Sequence, residues 1–137
     1  MGTWDLGSFG NDTAADWAIG LEEADDLRYV QAALDRVAAT GATKPVPSEA
    51  AEEAIAAAEV VARLRGQWGE EDSYSAPADN WVRAHPISPP RALIDTAIRA
   101  LDRLVVPPCE LLELWQETAE ADAWVEAVHE LRRRLTA

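Results

Sequence analysis

Apolar side chains recur every three or four positions along most of this chain, and no stretch alternates apolar and polar residues for more than a few positions. The first pattern is typical of amphipathic helices, and the lack of the second argues against β-strands. The clearest helix is predicted over residues 91–105, where Pro89-Pro90 precede an apolar stripe and Pro107-Pro108 follow it. Proline is tolerated in the first turn of a helix and breaks it elsewhere.

The same pattern predicts further helices along the chain. They are a short helix from Thr13 to Ile19, long helices over 22–39 and from Glu49 to about Arg65, a short helix around Asn80 to Ala84, and two segments within 109–135 separated by a bend near Thr118 to Ala121. We therefore expect an all-α fold, a helical bundle of four to five main helices with shorter ones. It is expected to form one domain over 1–137, with a polar loop at 66–79.

The first seventeen residues are too irregular for a strand or a full helix, yet this glycine-rich segment carries Trp4, Phe9 and Trp17. Large aromatic side chains are rarely left in water, and glycine lets a backbone approach another element closely. We expect residues 1–11 to form an arm that docks on the helices. Asn11 at its end is expected to cap the first helix.

The opening segment, MGTWDLGSFGNDTAADW, resembles a bacterial family of small proteins catalogued as a domain of unknown function, whose N-terminus reads roughly M-G-x-W-G-x-G-x-F-x-N-D-x-A-x-D-W. Asp5 departs from this pattern, because the family favours glycine there. The segment from Glu110 to Trp115, with Trp124 and Leu131, resembles the family's terminal helices. The resemblance implies no reaction, substrate or partner. The matching residues of the opening segment are Met1, Gly2, Trp4, Gly7, Phe9, Asn11, Asp12, Ala14, Asp16 and Trp17.

The chain has 25 acidic and 12 basic residues, and its formal net charge is −13. A field of this sign repels phosphate backbones, so nucleic-acid binding is disfavoured. The one tight basic cluster, Arg132-Arg133-Arg134, falls at the end of a predicted helix, where the helix dipole favours cations. The excess of carboxylates favours solubility and suggests a basic protein as partner. The pattern leaves the oligomeric state open.

No segment of the sequence indicates secretion or membrane association. The apolar stretches are alanine-rich and interrupted by Glu or Arg, far short of the roughly 20 apolar residues that span a bilayer. The N-terminus is polar and charged rather than an apolar signal region. The single cysteine, Cys109, cannot form an intrachain disulfide. A cytoplasmic location is therefore expected.

No catalytic motif stands out, and neither a metal nor a cofactor is expected. Glu126 and His129 have the E-x-x-H spacing of di-iron bundles, but such sites need two of these steps and further glutamates. Cys109 is predicted to lie at a helix N-terminus, which favours a thiolate. No histidine base can be assigned to it, and a lone cysteine is usually an ordinary small apolar residue. These patterns favour a binding protein over an enzyme.

Six residues are candidates for binding a ligand or a partner. They are Asn11, Asp12, Asp16, Trp17, Trp81 and His85. The first four lie at the start of the first helix, where Asp12 and Asp16 share a face. Paired carboxylates can bind cations or transfer protons, although helix capping and solvation explain them more simply. The last two lie beside a loop, where an indole can line a groove and an imidazole can titrate near neutral pH.

Three classes of function are compatible with the sequence. A small cytoplasmic protein that acts through protein–protein contact is favoured, and an immunity- or antitoxin-like protein that neutralises a basic toxin is its sharpest form. The second class is a small-ligand binder or an enzyme with a site around Asn11, Asp12, Asp16 and Trp17. The third is a structural subunit with a self-complementary apolar patch.

Overall fold

The computed structural model describes residues 6–137, which contain seven α-helices and no strand. The helices are α1 (Asp12–Leu21), α2 (Arg28–Ala38), α3 (Ser48–Leu64), α4 (Ala76–Ala84), α5 (Arg91–Leu104), α6 (Glu110–Gln116) and α7 (Ala121–Thr136). Five of these have ten or more residues, so the predicted all-α bundle of four to five main helices is confirmed. None of the helices within the described range is long and apolar enough to cross a membrane.

Helix α3 lies at the centre of the bundle and contacts all six of the other helices. Twelve of its 17 residues are buried, and most of these are alanines. Alanine lets the backbones of neighbouring helices approach closely, because its side chain adds little to the helix diameter. The remaining volume around α3 is filled by larger side chains, including Trp115 and Trp124, whose stacked rings have centroids 6.4 Å apart and join α6 to α7.

The arm docks on this bundle through Phe9, which is 3 % exposed and belongs to the core. The chain turns beside it, with the N–H of Gly10 donating to the carbonyl of Gly7 at 3.3 Å. The predicted docking of the arm is therefore confirmed for Phe9, while Trp4 lies outside the described residues.

Two helix starts differ from the prediction. Helix α2 begins at Arg28 rather than at residue 22, because the backbone of Ala24 is held outside the helix by a hydrogen bond from Trp81 Nε1 to its carbonyl, 2.9 Å long. Helix α4 begins at Ala76 rather than at Asn80, with a proline in its first turn. The polar loop that was predicted at 66–79 therefore ends at Ser75.

Candidate functional site

The face of α3 that the arm covers carries charged residues. Glu52, Glu59 and Arg63 follow at intervals of seven and four, which places them along one side of the helix. All three are buried. Two adjoining cavities lie along this face, and both are lined by Leu6, Gly7 and Ser8 of the arm and by Ala127 of α7. The larger one, which reaches Glu59 and Arg63, is called the polar cavity. The smaller one, which reaches Glu52, is called the apolar cavity.

Four charged side chains from three helices form a buried ion network beside the polar cavity. It consists of Glu59 and Arg63 of α3, Asp79 of α4 and Arg134 of α7. Arg134 donates to both oxygens of Glu59, at 2.6 and 2.9 Å, and Arg63 donates to Glu59 and, at 2.7 Å, to Asp79. The network therefore ties the two outer helices to α3.

Neutral groups complete the network from the arm and the loop before α4. Ser8 Oγ donates to Glu59 at 2.7 Å, and Ser75 Oγ donates to Asp79 at 2.6 Å. The guanidinium group of Arg63 also lies over the rings of Phe9 and Trp68, with its carbon 5.7 and 5.2 Å from the ring centroids. Buried charges are tolerated when they are paired and hydrogen-bonded in this way.

The protonation state of the network follows from this geometry. Burial by itself raises the pKa of Glu59, but the hydrogen bonds and positive charge of Arg134, with smaller effects of Arg63 and Ser8, outweigh it. The pKa of Glu59 therefore lies below its ordinary value. Its partner shows the matching change, since the pKa of Arg134 is raised despite burial.

Gly69 is closely packed against the same network. A Cβ atom at this position would lie 2.9 Å from the guanidinium carbon of Arg134 and 2.9 Å from Glu59 Oε1. A side chain there would displace one of these groups, so glycine at this point lets the loop before α4 pack directly against the network.

The polar cavity has a volume of about 350 Å³, which falls within the usual range of small-molecule sites. Its charged lining residues are four carboxylates and two guanidinium groups, from Glu59, Glu70, Asp72, Glu130, Arg63 and Arg134. The lining thus has a formal excess of negative charge.

The apolar cavity is much smaller, about 30 Å³, and contains one ionisable group, Glu52. Burial raises the pKa of Glu52, and the negative charge of Asp12 adds to this, while a hydrogen bond from Thr13 opposes it. No ion pair of Glu52 occurs among residues 6–137. The pKa of Glu52 therefore lies above the ordinary value of a glutamate.

Replacing Glu52 by glutamine is expected to stabilise the protein near neutral pH by about 1 kcal/mol, because the amide removes a buried charge without a cationic partner. A raised pKa in the folded state means that the contribution of Glu52 to stability is complete below its ordinary pKa and is lost as the pH rises through the folded value. The gain should therefore vanish near pH 4. Urea denaturation of both proteins across this pH range measures it, and an equal difference at every pH would contradict it.

The residues proposed from sequence at the start of α1 have separate structural roles. Asn11 Oδ1 accepts the N–H of Ala14 at 2.8 Å, so the predicted N-cap is confirmed. Asp12 and Asp16 are exposed. Trp17 is buried, its ring stacks on Tyr29 with centroids 5.1 Å apart, and its carbonyl accepts the Tyr29 hydroxyl.

The other two proposed residues form a stacked pair at the end of α4. The rings of Trp81 and His85 have centroids 4.4 Å apart, and His85 Nδ1 lies 2.9 Å from the carbonyl of Trp81. The hydrogen bond of Trp81 to Ala24 brings this pair against the turn after α1. Of the six proposed residues, Asn11 alone lines one of the two cavities, and a binding role for the six stays a prediction.

Other groups with possible chemistry are placed apart from the cavities. Cys109 is fully buried at the start of α6, and burial raises the pKa of its thiol against the opposing effect of N–H groups of α6. The thiolate that its position suggested is therefore disfavoured. Glu126 pairs with Arg133 at 2.7 Å, and His129 is exposed. Among residues 6–137 no cluster of three or more metal-ligating side chains occurs.

Sequence reasoning missed the buried ion network. A signal was present, because Glu59 and Arg63 are four residues apart on an alanine-rich helix whose neighbouring positions are apolar. Arg134 was assigned to the helix dipole at the end of α7, and its bonds to Glu59 depend on a contact 75 residues apart in sequence.

Comparison with protein families identifies the family of this chain. A domain of unknown function (DUF4259) matches residues 2–127, so the protein belongs to that family. The membership suggested by the N-terminal segment is thus confirmed. No curated protein and no solved structure shows a significant match.

Proposed function

We propose that this protein binds a basic protein partner through an acidic surface on α1 and the turn that follows it. The acidic surface consists of exposed carboxylates with one exposed apolar side chain among them. These residues are Asp12, Asp16, Ile19, Glu22, Glu23 and Asp25.

The observation that carries this proposal is the exposure of Ile19. It is 57 % exposed, more than any other large hydrophobic side chain of the described range. Asp12, Asp16 and Ile19 follow at intervals of four and three, so they form one stripe along α1, and Glu23 lies in the turn that follows the helix. An apolar side chain within a polar rim is the usual composition of a protein interface.

The charge of this surface is almost uncompensated. Residues 12–26 contain six acidic residues and no lysine or arginine. The ion pair at its edge, between Asp26 and Arg28 at 2.9 Å, is exposed on both sides. A basic partner would be attracted over a distance of several ångströms and acidic competitors would be repelled.

A narrower form of this proposal is an immunity- or antitoxin-like role against a basic toxin, which charge complementarity alone supports. For the alternative, a small-ligand site around Asn11, Asp12, Asp16 and Trp17, the described residues offer less support. Of these four only Asn11 lines a cavity, the apolar one of about 30 Å³, and the polar cavity is lined by other residues.

The test compares proteins captured from a lysate by the wild type and by a variant with Asp12→Asn, Asp16→Asn, Glu22→Gln and Glu23→Gln. A partner of the acidic surface should be lost with this variant. It should be retained with a matched variant that neutralises four exposed acids in and between α6 and α7, Glu113, Glu117, Glu120 and Asp122. Equal capture by the wild type and both variants would overturn the proposal.

With such a partner isolated, the association rate should fall when salt rises from about 0.01 to 0.15 M, because the Debye length shortens from roughly 30 to 8 Å. The dissociation rate should change less. Surface plasmon resonance measures both rates. A salt-independent association rate would show that the carboxylates serve solubility instead.

A further inference from the structure

Most of the hydrogen-bond donors that line the polar cavity are already used within the protein. Arg134 has five N–H groups, and they make five hydrogen bonds, to Glu59, Glu130 and the carbonyl of Gln67. Arg63 bonds Glu59, Asp79 and the carbonyl of Glu70, and it is 2 % exposed. The two guanidinium groups of the lining are therefore poorly placed to bind an anion.

The acceptors of the same lining are not all used. Glu70 and Asp72 are exposed, and within residues 6–137 neither makes an ion pair with lysine, arginine or histidine. The carboxylate of Asp72 is held in place because its Oδ1 accepts the N–H groups of Tyr74 and Ser75 at 2.9 Å. At Glu70 it is the backbone that is fixed, since its carbonyl accepts from Arg63 at 2.7 Å. A group that enters the cavity thus meets carboxylate oxygens that have no cation.

One wall of the polar cavity is apolar. Leu6 and Phe9 of the arm and Ala127 of α7 contribute to it. Methylene groups bury favourably against such a wall, and an aromatic ring also attracts a cation that approaches its face. The cavity therefore combines a carboxylate edge with an apolar wall, above a floor of satisfied ion pairs.

We propose that the polar cavity binds an alkyl cation, that is, an ammonium or guanidinium group on a short methylene chain, with Glu70 and Asp72 as the residues that bind the charged group. The methylene chain lies along Leu6, Phe9 and Ala127. This site shares no residue with the acidic surface on α1, so the two proposals can be tested independently.

The experiment titrates the full chain with four probes that share one alkyl chain, n-butylguanidinium, n-butylammonium, pentanamide and pentanoate, followed by NMR chemical-shift changes. The two cations should bind with a Kd of roughly millimolar or below, and they should shift the amide signals of Glu70, Ser75 and Ala127. The neutral amide and the carboxylate should bind at least about tenfold more weakly, since a charge-assisted hydrogen bond is lost.

A variant with Glu70→Gln and Asp72→Asn should lose cation binding by about tenfold or more. It should keep its melting temperature, because the amide oxygen of the introduced asparagine can still accept the N–H groups of Tyr74 and Ser75. The matched control, Glu113→Gln with Glu117→Gln, makes the same change in net charge at exposed residues outside the cavity and should bind as the wild type does. Equal losses in both variants, equal binding of pentanamide, or shifts confined to other residues would overturn the proposal.

The source of the cation is decided by one more probe, N-acetylarginine amide. Binding as tight as that of n-butylguanidinium would show that the cavity takes an arginine side chain from a peptide. Much weaker binding would show that it takes a free amine or guanidine. Both results support an alkyl-cation site.

Discussion

Replacing Glu59 by glutamine is expected to destabilise the protein by about 3–5 kcal/mol, because the variant leaves the guanidinium groups of Arg63 and Arg134 buried without their shared carboxylate. The melting temperature should fall by about 10 °C or more. Urea and thermal denaturation at pH 7 measure the effect. A change below about 1 kcal/mol would mean that the ion network contributes little to stability.

The pH dependence of this effect has a definite sign. Because the pKa of Glu59 is lowered in the folded state, its contribution is present above its ordinary pKa and is lost as the pH falls through the folded value. The difference between wild type and variant should therefore shrink in acid. The matched control is Glu53→Gln on the same helix, where the partly exposed carboxylate lies 3.8 Å from Arg36 and should contribute at most about 1 kcal/mol.

Replacing Phe9 by alanine is expected to cost about 3–5 kcal/mol, since a buried aromatic side chain is removed from the contact between the arm and α3. Deleting residues 1–10 should cost at least as much. Thermal melts decide the point, with Tyr74→Ala as a matched control, because Tyr74 is 55 % exposed. An unchanged melting temperature in the Phe9 variant would mean that the arm serves something other than folding.

Most of the fold could be predicted from the sequence because its information is local. The prolines around α5 and the apolar spacing within each helix depend on neighbours a few residues away. The start of α2 was placed wrongly because it depends on a tertiary contact. The hydrogen bond from Trp81 to Ala24 joins residues 57 apart, and no periodicity reports such a contact.

The cavities could not be predicted for the same reason. Ser8, Glu59 and Arg134 are distant in sequence and meet at one carboxylate. Considered alone, Ser8 is more simply interpreted as a loop residue, Glu59 as a solvated acid and Arg134 as a cation at a helix end. The exposed carboxylates of α1 were accessible to sequence reasoning, whereas the exposure of Ile19 between them required the packed structure.

The hydrogen bonds around Glu59 also join the arm to the last turn of α7, and this determines how the molecule opens. Arg65 strengthens the connection by donating to the carbonyls of Arg134 and Ala137 at 2.7 and 2.6 Å. Fraying of either segment would remove hydrogen-bond donors from the buried carboxylate of Glu59, so local opening there has a high free-energy cost. Amide hydrogens in the last turn of α7 should thus exchange with solvent more slowly than at an ordinary helix end, and closer to the rate set by cooperative unfolding of the whole bundle.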